Sequence, residues 1–407
     1  MAIIRPFKAL RPLPSNVAQV SAVPYDVVNT EEARNLAAGN PLSFLHISRA
    51  EIGLPAATDP YSDAVYDRAL ENFNHLRTAA PLIIEEIPAV YFYRLRMGSH
   101  QQTGLAACYS VDEYDHDLIK KHERTRRDKE DDRTRHISTL RAQTGPVFLT
   151  YRAAAAIDAV ADKVALTQPL FDFEAVDKVR HTVWRVTGTD LEALQRGFRN
   201  LPCVYIADGH HRAASAARTR KYLAEKEPGV AHEEADWMYA VAFPDNQTQI
   251  LPYNRVVKDL AGHTPEALLD ELKSRFHLST GTASPASKGE VSMYLGRQWH
   301  TLRLRGQAGA TDIGSTLDVS LLQEQVLAPL FKIGDPRSDK RIDFVGGIRG
   351  TGELERLVRE GKAAAAFSIY PVSVDDLMRI ADAGEIMPPK STWFEPKLRD
   401  GLLSHLI

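Results

Sequence analysis

The chain of 407 residues holds only two cysteines, Cys108 and Cys203. Two thiols exclude a disulfide framework and a zinc site of four thiolates, and they fit a reducing compartment. An excess of one charge is also lacking, since 50 Lys and Arg stand against 53 Asp and Glu for a net −3. A near-neutral protein has little spare cation to displace counterions from a phosphate polymer, so no nucleic acid is expected as a partner. No apolar run approaches the roughly 18 to 20 residues that cross a bilayer, so no membrane partner is expected either. Pro6 and Lys8 stand where a signal peptide needs an unbroken apolar stretch. The expected location is cytoplasmic. Three catalytic signatures are missing: the Gly-x-Gly-x-x-Gly fingerprint, the Gly-x-Ser-x-Gly elbow and the His-Glu-x-x-His helix. Lys390-Ser391-Thr392 has the ending of a P-loop, but Pro388 and Pro389 precede it and the glycines are absent.

What is present is ordinary for a globular protein: 44% apolar and 25% charged residues. At this length more than one core is expected. The pattern of short apolar runs and amphipathic stretches predicts an α+β (mixed α/β) architecture. The expected domains are 1–265 and 266–407, with the tail of the second returning to the site. Paired strands are predicted at Val90 to Met97 and Thr103 to Ser110, and a helix at Asp59 to Ala80. Leu45 to Glu51 alternates like a half-exposed strand. From Lys120 to Arg135 the residues are mostly good helix formers without an apolar side chain, which predicts a charged helix. On that helix His122, Arg126, Lys129 and Arg133 share one face, with Glu123 on the adjoining face. Such a face is either a solvated lattice of ion pairs or the lining of an anion-binding cleft.

The strongest local signal is a short strand, Cys203 to Ala207, then Asp208-Gly209-His210-His211-Arg212, then a helix. A helix start presents unpaired N–H groups and the positive end of a dipole, and so can hold an anion. Gly209 allows close backbone approach, and Arg212 offers a planar fork for phosphate. A capping Asp, a turn glycine and solvent-facing polar residues would read the same way. Metal binding by the two histidines is not expected, because adjacent side chains point apart and no i, i+4 His pair lies nearby. Pro24-Tyr25-Asp26 places a carboxylate on a loop, either as a turn residue or as a base or magnesium ligand.

Taken together, Pro24-Tyr25-Asp26, His122-Glu123-x-Thr125 with Lys129 and Asp132-Arg133, Asp208 to Arg212, Leu251 to Arg255 and Lys390-Ser391-Thr392 resemble a widespread prokaryotic family, domain-of-unknown-function family 1015. The Asp-Gly-His-His-Arg segment is in turn similar to the phosphate-binding box of the ParB/sulfiredoxin-like superfamily, which includes partition proteins, sulfiredoxin and the free serine kinases. This resemblance implies a ParB/sulfiredoxin-like N-terminal core. Where sulfiredoxin has its catalytic cysteine this chain has His210 or His211, which disfavours sulfinic-acid repair. Strands rather than a helix-turn-helix follow Lys221, which disfavours DNA reading.

The resemblance implies a phosphotransferase, similar to the serine kinases, acting on the hydroxyl of a small metabolite. Phosphoryl transfer asks a protein mainly to position groups and neutralise charge. The expected roles follow. Gly209, His210, His211 and Arg212 hold the donor's phosphates; His122, Arg126, Lys129, Arg133, Arg255 and Ser391 bind phosphate or substrate; Lys390 closes the site. Asp26 or Glu123 accepts the hydroxyl proton, and His210 or His211 is the candidate nucleophile of a covalent variant. Magnesium is the implied cofactor, with Asp208 as a candidate ligand. ATP, ADP or pyrophosphate is the implied donor. A phosphatase and a non-enzymatic nucleotide sensor are the alternatives, and a homodimer is left open.

Overall fold

The computed structural model describes residues 2–79, 82–306 and 312–407. Contacts divide the chain into two units, Met1–Thr248 with Pro396–Ile407, and Gln249–Glu395. This division differs from the expected boundary between 265 and 266. Tyr253–Val257 already pairs with strands of the second unit, while residues from 396 onward pair with segments of the first.

In the first unit nine strands form one sheet. They are β1 (Ile4–Arg5), β2 (Val90–Met97), β3 (His100–Ser110), β4 (Ile119–Lys120), β5 (Val147–Tyr151), β6 (Phe171–Glu174), β7 (Arg180–Val186), β8 (Val204–Asp208) and β9 (Trp237–Pro244). Their order is β4-β8-β5-β9-β3-β2-β7-β6, with β1 added on β3. The β2–β3 hairpin turns at Gly98, whose φ of +58° suits glycine. The pairs β4–β8 and β5–β9 are parallel. Seven helices are used below: α1 (Thr30–Ala37), α2 (Leu45–Ser48), α3 (Asp63–Ala79), α4 (Arg127–Leu140), α5 (Ala155–Ala165), α6 (Gly188–Arg199) and α7 (His210–Lys226). The expected end of α3 at Ala80 lies outside the described residues.

Two apolar clusters hold this unit. One joins sheet residues such as Phe92, Leu105, Leu149 and Ile206 to Ile157 of α5, Phe198 of α6 and the alanines of α7. The other joins Phe44, Ile47, Val65, Phe73 and Leu76 around α1 to α3, and takes in Leu140 at the end of α4. Each large side chain removed from water contributes roughly 1.5–3 kcal/mol. Helix α4 packs against both α3 and α7. Apart from Ile137 and Leu140, its buried residues are Asp132, Thr134 and His136. The element packed between the helices is therefore polar along much of its length.

Two sequence expectations fail here for a physical reason. The segment expected as a strand at Leu45 to Glu51 is α2 followed by a 3-10 turn, Ala50–Gly53. Leu45, Ile47, Ala50 and Ile52 all reach the second apolar cluster from that coil. The charged helix starts at Arg127 rather than Lys120, because Ile119 and Lys120 are drawn into parallel pairing with Val204 and Tyr205. His122, Glu123 and Arg126 thus sit on a loop and at the N-cap, not on one helical face with Lys129 and Arg133.

The second unit is an antiparallel six-stranded sheet in the order β11-β13-β12-β15-β10-β14. These strands are β10 (Tyr253–Val257), β11 (His277–Thr280), β12 (Glu290–Leu295), β13 (Gln298–Arg303), β14 (Ile342–Gly346) and β15 (Ala365–Ile369). Helices α8 (Pro265–Arg275), α9 (Gly350–Arg359) and α10 (Val374–Asp382) accompany it. Thr264 caps α8 and Pro265 opens it. The mixed α+β class is what the structure has. Among the described residues no helix is long and apolar enough to cross a membrane.

Candidate functional site

Strand β8 ends at Asp208, and its pairing with β5 shifts register between Ile206 and Asp208. Such an irregularity re-aims the chain where it leaves a sheet. Gly209 follows with φ +92° and caps α7 without any side-chain hydrogen bond. A Cβ there would lie 2.8 Å from Nε of Arg212. Glycine is therefore required twice, by the backbone and by the guanidinium folded back against it. Arg212 is buried and donates through Nη1 to the Pro146 carbonyl. Its Nη2 lies 3.6 Å from Asp208 and 3.8 Å from Asp26. Burial opposes its charge, but Asp26 and Asp208 outweigh that and hold it protonated. Its Nε has no hydrogen-bond partner.

Asp208 is itself held by Lys397, whose Nζ donates to Oδ2 at 2.9 Å. Burial would raise this carboxyl; Lys397 and Arg212 instead hold it well below the usual range. With its oxygens turned to two cations, Asp208 does not fit the magnesium-ligand role expected of it.

The two adjacent histidines do point apart. His211 accepts the Arg126 amide at Nε2, 3.0 Å away, which leaves the proton of its neutral ring on Nδ1. Burial lowers its pKa. His210 turns instead to the loop after β4, where its ring meets that of His122 edge-on at 4.4 Å. The His122 amide approaches His210 Nε2 at 3.4 Å, and His210 Nδ1 lies 3.7 Å from Glu123 Oε2. Potential ligand atoms of His122, Glu123 and His210 all lie within 4.8 Å of one another. The absence of a local His pair in the sequence therefore misleads: His210 finds its partner 88 residues away. Burial, first of all, depresses both histidines, His122 to about 4 and His210 well below its ordinary value.

Facing this group are α4 and the Tyr25–Asp26 turn. Asp132 accepts from Tyr66 Oη at 2.7 Å and from Arg133 Nε at 2.8 Å. The Arg133 guanidinium lies 4.1 Å from the centre of the Tyr25 ring. Lys129 donates to Tyr61 at 2.7 Å, and Arg126 pairs with Asp128 at 2.7 Å. Two cavities adjoin, sharing Tyr25, Ser48, Arg133 and His136. One reaches Gly145, Arg212 and Asp400; the other reaches Arg49, Glu51, Tyr61 and Lys129. Asp400 is fully enclosed, and burial, with Asp26 adding to it, pushes its carboxyl up to about 7 against the pull of Arg212, Arg133 and Arg399.

Of the residues expected at the site, Asp26, His122, Glu123, Arg126, Lys129, Arg133, Asp208, Gly209, His210, His211 and Arg212 therefore gather in the first unit. Arg255, Lys390 and Ser391 form a group within the second. There Arg255 donates to the carbonyls of Tyr253 and Lys390, and Ser391 Oγ donates to Pro388 O at 2.6 Å. The donors of Arg255 and Ser391 serve the backbone, and the Lys390 ammonium lies 5.5 Å from the centre of the Tyr253 ring. Lys397, Asp400, Arg49 and Glu51 were missed as site residues. The first two follow a proline-rich tail with no motif of their own, and the last two lie in the segment misread as a strand.

A family model described as a protein of unknown function, DUF1015, matches residues 4–320. The chain is a DUF1015 protein. No curated protein matches this DUF1015 chain in sequence. Among solved structures it is similar to C-terminally truncated SbnI from Staphylococcus aureus, with TM-score 0.35 and 13% identity over 72% of this chain and 84% of that one. It is similar as well to a free serine kinase in complex with AMP, with TM-score 0.33 and 12% identity over 73% and 92% of the two chains. A conserved hypothetical protein from Pyrococcus furiosus gives TM-score 0.33 and 15% identity over 73% and 95%.

Proposed function

We propose that this DUF1015 protein transfers a phosphoryl group from a nucleotide or pyrophosphate to the hydroxyl of a small metabolite, in the manner of a free serine kinase. The observation that carries this reading is the start of α7. A helix N-terminus capped by glycine alone stands over a buried arginine whose Nε lacks a partner, beside a cavity lined by a second arginine. Fixed positive charge around space is what a transferring phosphoryl group requires. The amides opening α7, with His211 and Arg212, hold the donor; Arg133 and Lys129 neutralise the moving group, and Arg126 steadies His211. The acceptor oxygen attacks phosphorus as the bond to the leaving phosphate breaks, and the hydroxyl proton passes to Asp26, which is partly exposed next to Arg212. Magnesium would arrive with the donor's phosphates and supply further charge neutralisation, with Asp26 and Glu123 as the accessible carboxylates.

The test is phosphorus NMR of the protein with ATP, ADP or pyrophosphate against a panel of hydroxyl metabolites beginning with serine. Donor-dependent formation of a phosphate ester, lost in Arg212→Lys, supports the proposal. Release of phosphate from phosphoserine without a donor would replace it with a phosphatase. Tight nucleotide binding without turnover would replace it with a sensor.

A further inference from the structure

His122 buries both ring nitrogens, and neither completes a hydrogen bond, although the Ile206 carbonyl is close by. A buried polar group left without a hydrogen bond destabilises the fold, so its retention calls for a reason. The ring stands edge-on to buried His210, and Glu123 brings a carboxylate to 3.7 Å from His210 Nδ1. The three come from the loop after β4 and the first turn of α7, two backbones fixed by the parallel β4–β8 pairing.

We propose that His122, Glu123 and His210 bind a divalent transition-metal ion, of which zinc is the representative. Two imidazoles and one carboxylate suit zinc, cobalt or manganese, whereas magnesium prefers oxygen ligands and keeps its waters. The spread of the ligand atoms, up to 4.8 Å, contracts modestly around an ion. Both rings are held neutral by burial, so no charge has to be discharged before they bind. His210 accepts the His122 amide at Nε2, which places the ring proton on Nδ1. Binding through Nδ1 shifts that proton to Nε2 and gives up the amide contact; at 3.4 Å little is lost. Three protein ligands leave a coordination position for water or a ligand oxygen. Magnesium delivered with a donor is a separate matter, and the proposal stands whether or not phosphoryl transfer does.

The experiment is titration calorimetry of the chelator-stripped full chain with zinc chloride alone, without nucleotide, together with visible absorption after cobalt loading. The expected result is one ion per chain and a cobalt spectrum of low coordination number. Glu123→Gln should weaken binding at least about tenfold, and His122→Asn and His210→Asn more. His75→Asn, on the exposed face of α3, should leave binding unchanged. Where a buried histidine variant fails to fold, Glu123→Gln, altering a side chain about half exposed, decides. Absence of stoichiometric binding in the parent chain overturns the proposal. So does binding unaffected by Glu123→Gln, which would mark surface histidines as the ligands.

Discussion

The two units bury charge differently. In the first, charges face charges: Arg133 on Asp132, Lys397 on Asp208, and Arg212 between Asp208 and Asp26, beside open cavities. In the second, Arg255 and Asp318 are capped by the backbone, and the ion pair of buried Asp376 with Lys288 lines neither cavity. Arg255 spends its terminal nitrogens on two carbonyls, and Asp318 receives the Gly289 amide on both oxygens, at 2.9 and 3.0 Å. Buried ion pairs rarely add net stability over well-packed apolar residues. A cluster of them at the edge of a cavity is therefore poorly explained by folding and well explained by a ligand that can take one partner's place. A charge pinned by carbonyls has no such freedom.

Four measurements would sharpen or break this contrast. The largest effect is expected for Arg212→Lys, which keeps the charge but loses the fork. The initial transfer rate by phosphorus NMR should fall about 10²- to 10³-fold, roughly 2.7–4 kcal/mol. Next, Gly209→Ala forces a side chain into φ +92° and onto the guanidinium. A loss of about 1–3 kcal/mol in denaturant unfolding is expected, with about tenfold slower transfer. Arg255→Gln leaves carbonyls short of donors and should cost about 1–2 kcal/mol of stability while the rate stays within about twofold. A rate collapse in a folded Arg255→Gln chain would restore the phosphate role expected from its motif.

The smallest effect is a pH slope. Asp400 titrates near 7 when folded and near 3.8 when unfolded, so between these values only the folded chain keeps the proton. Stability from this group is complete below about 4 and is lost as pH rises through 7. His122, lowered to about 4 from 6.5, works the opposite way across much of the same window. The difference between parent and Asp400→Asn isolates the first slope: the variant's melting temperature should gain a few degrees on the parent's between pH 4 and 8. A constant difference would show that Asp400 is not the group that titrates.

Much of the fold was legible where structure is decided locally. The paired strands from Val90 to Met97 and Thr103 to Ser110 and the Gly209 turn announce themselves within a few residues. Elsewhere distant partners overrule local signals. Ile119 and Lys120 join a sheet because Val204 is there to pair with them, and this cuts the first turns from the expected charged helix. At the site, the Asp208–Arg212 box stood out by composition. The His122–His210 meeting and the Lys397–Asp208 pair did not, because they join residues 88 and 189 positions apart.

The return of residues 396–407 to the first unit has a consequence for the order of assembly. During synthesis Asp208 and Arg212 leave the ribosome long before Lys397, with the whole of the second unit made in between. Until then Asp208 lacks its ammonium partner, and the Arg212 cavity lacks Asp400 from its wall. The nascent first unit thus carries an incomplete cavity wall, and translation of the inserted unit sets the time at which that wall can close.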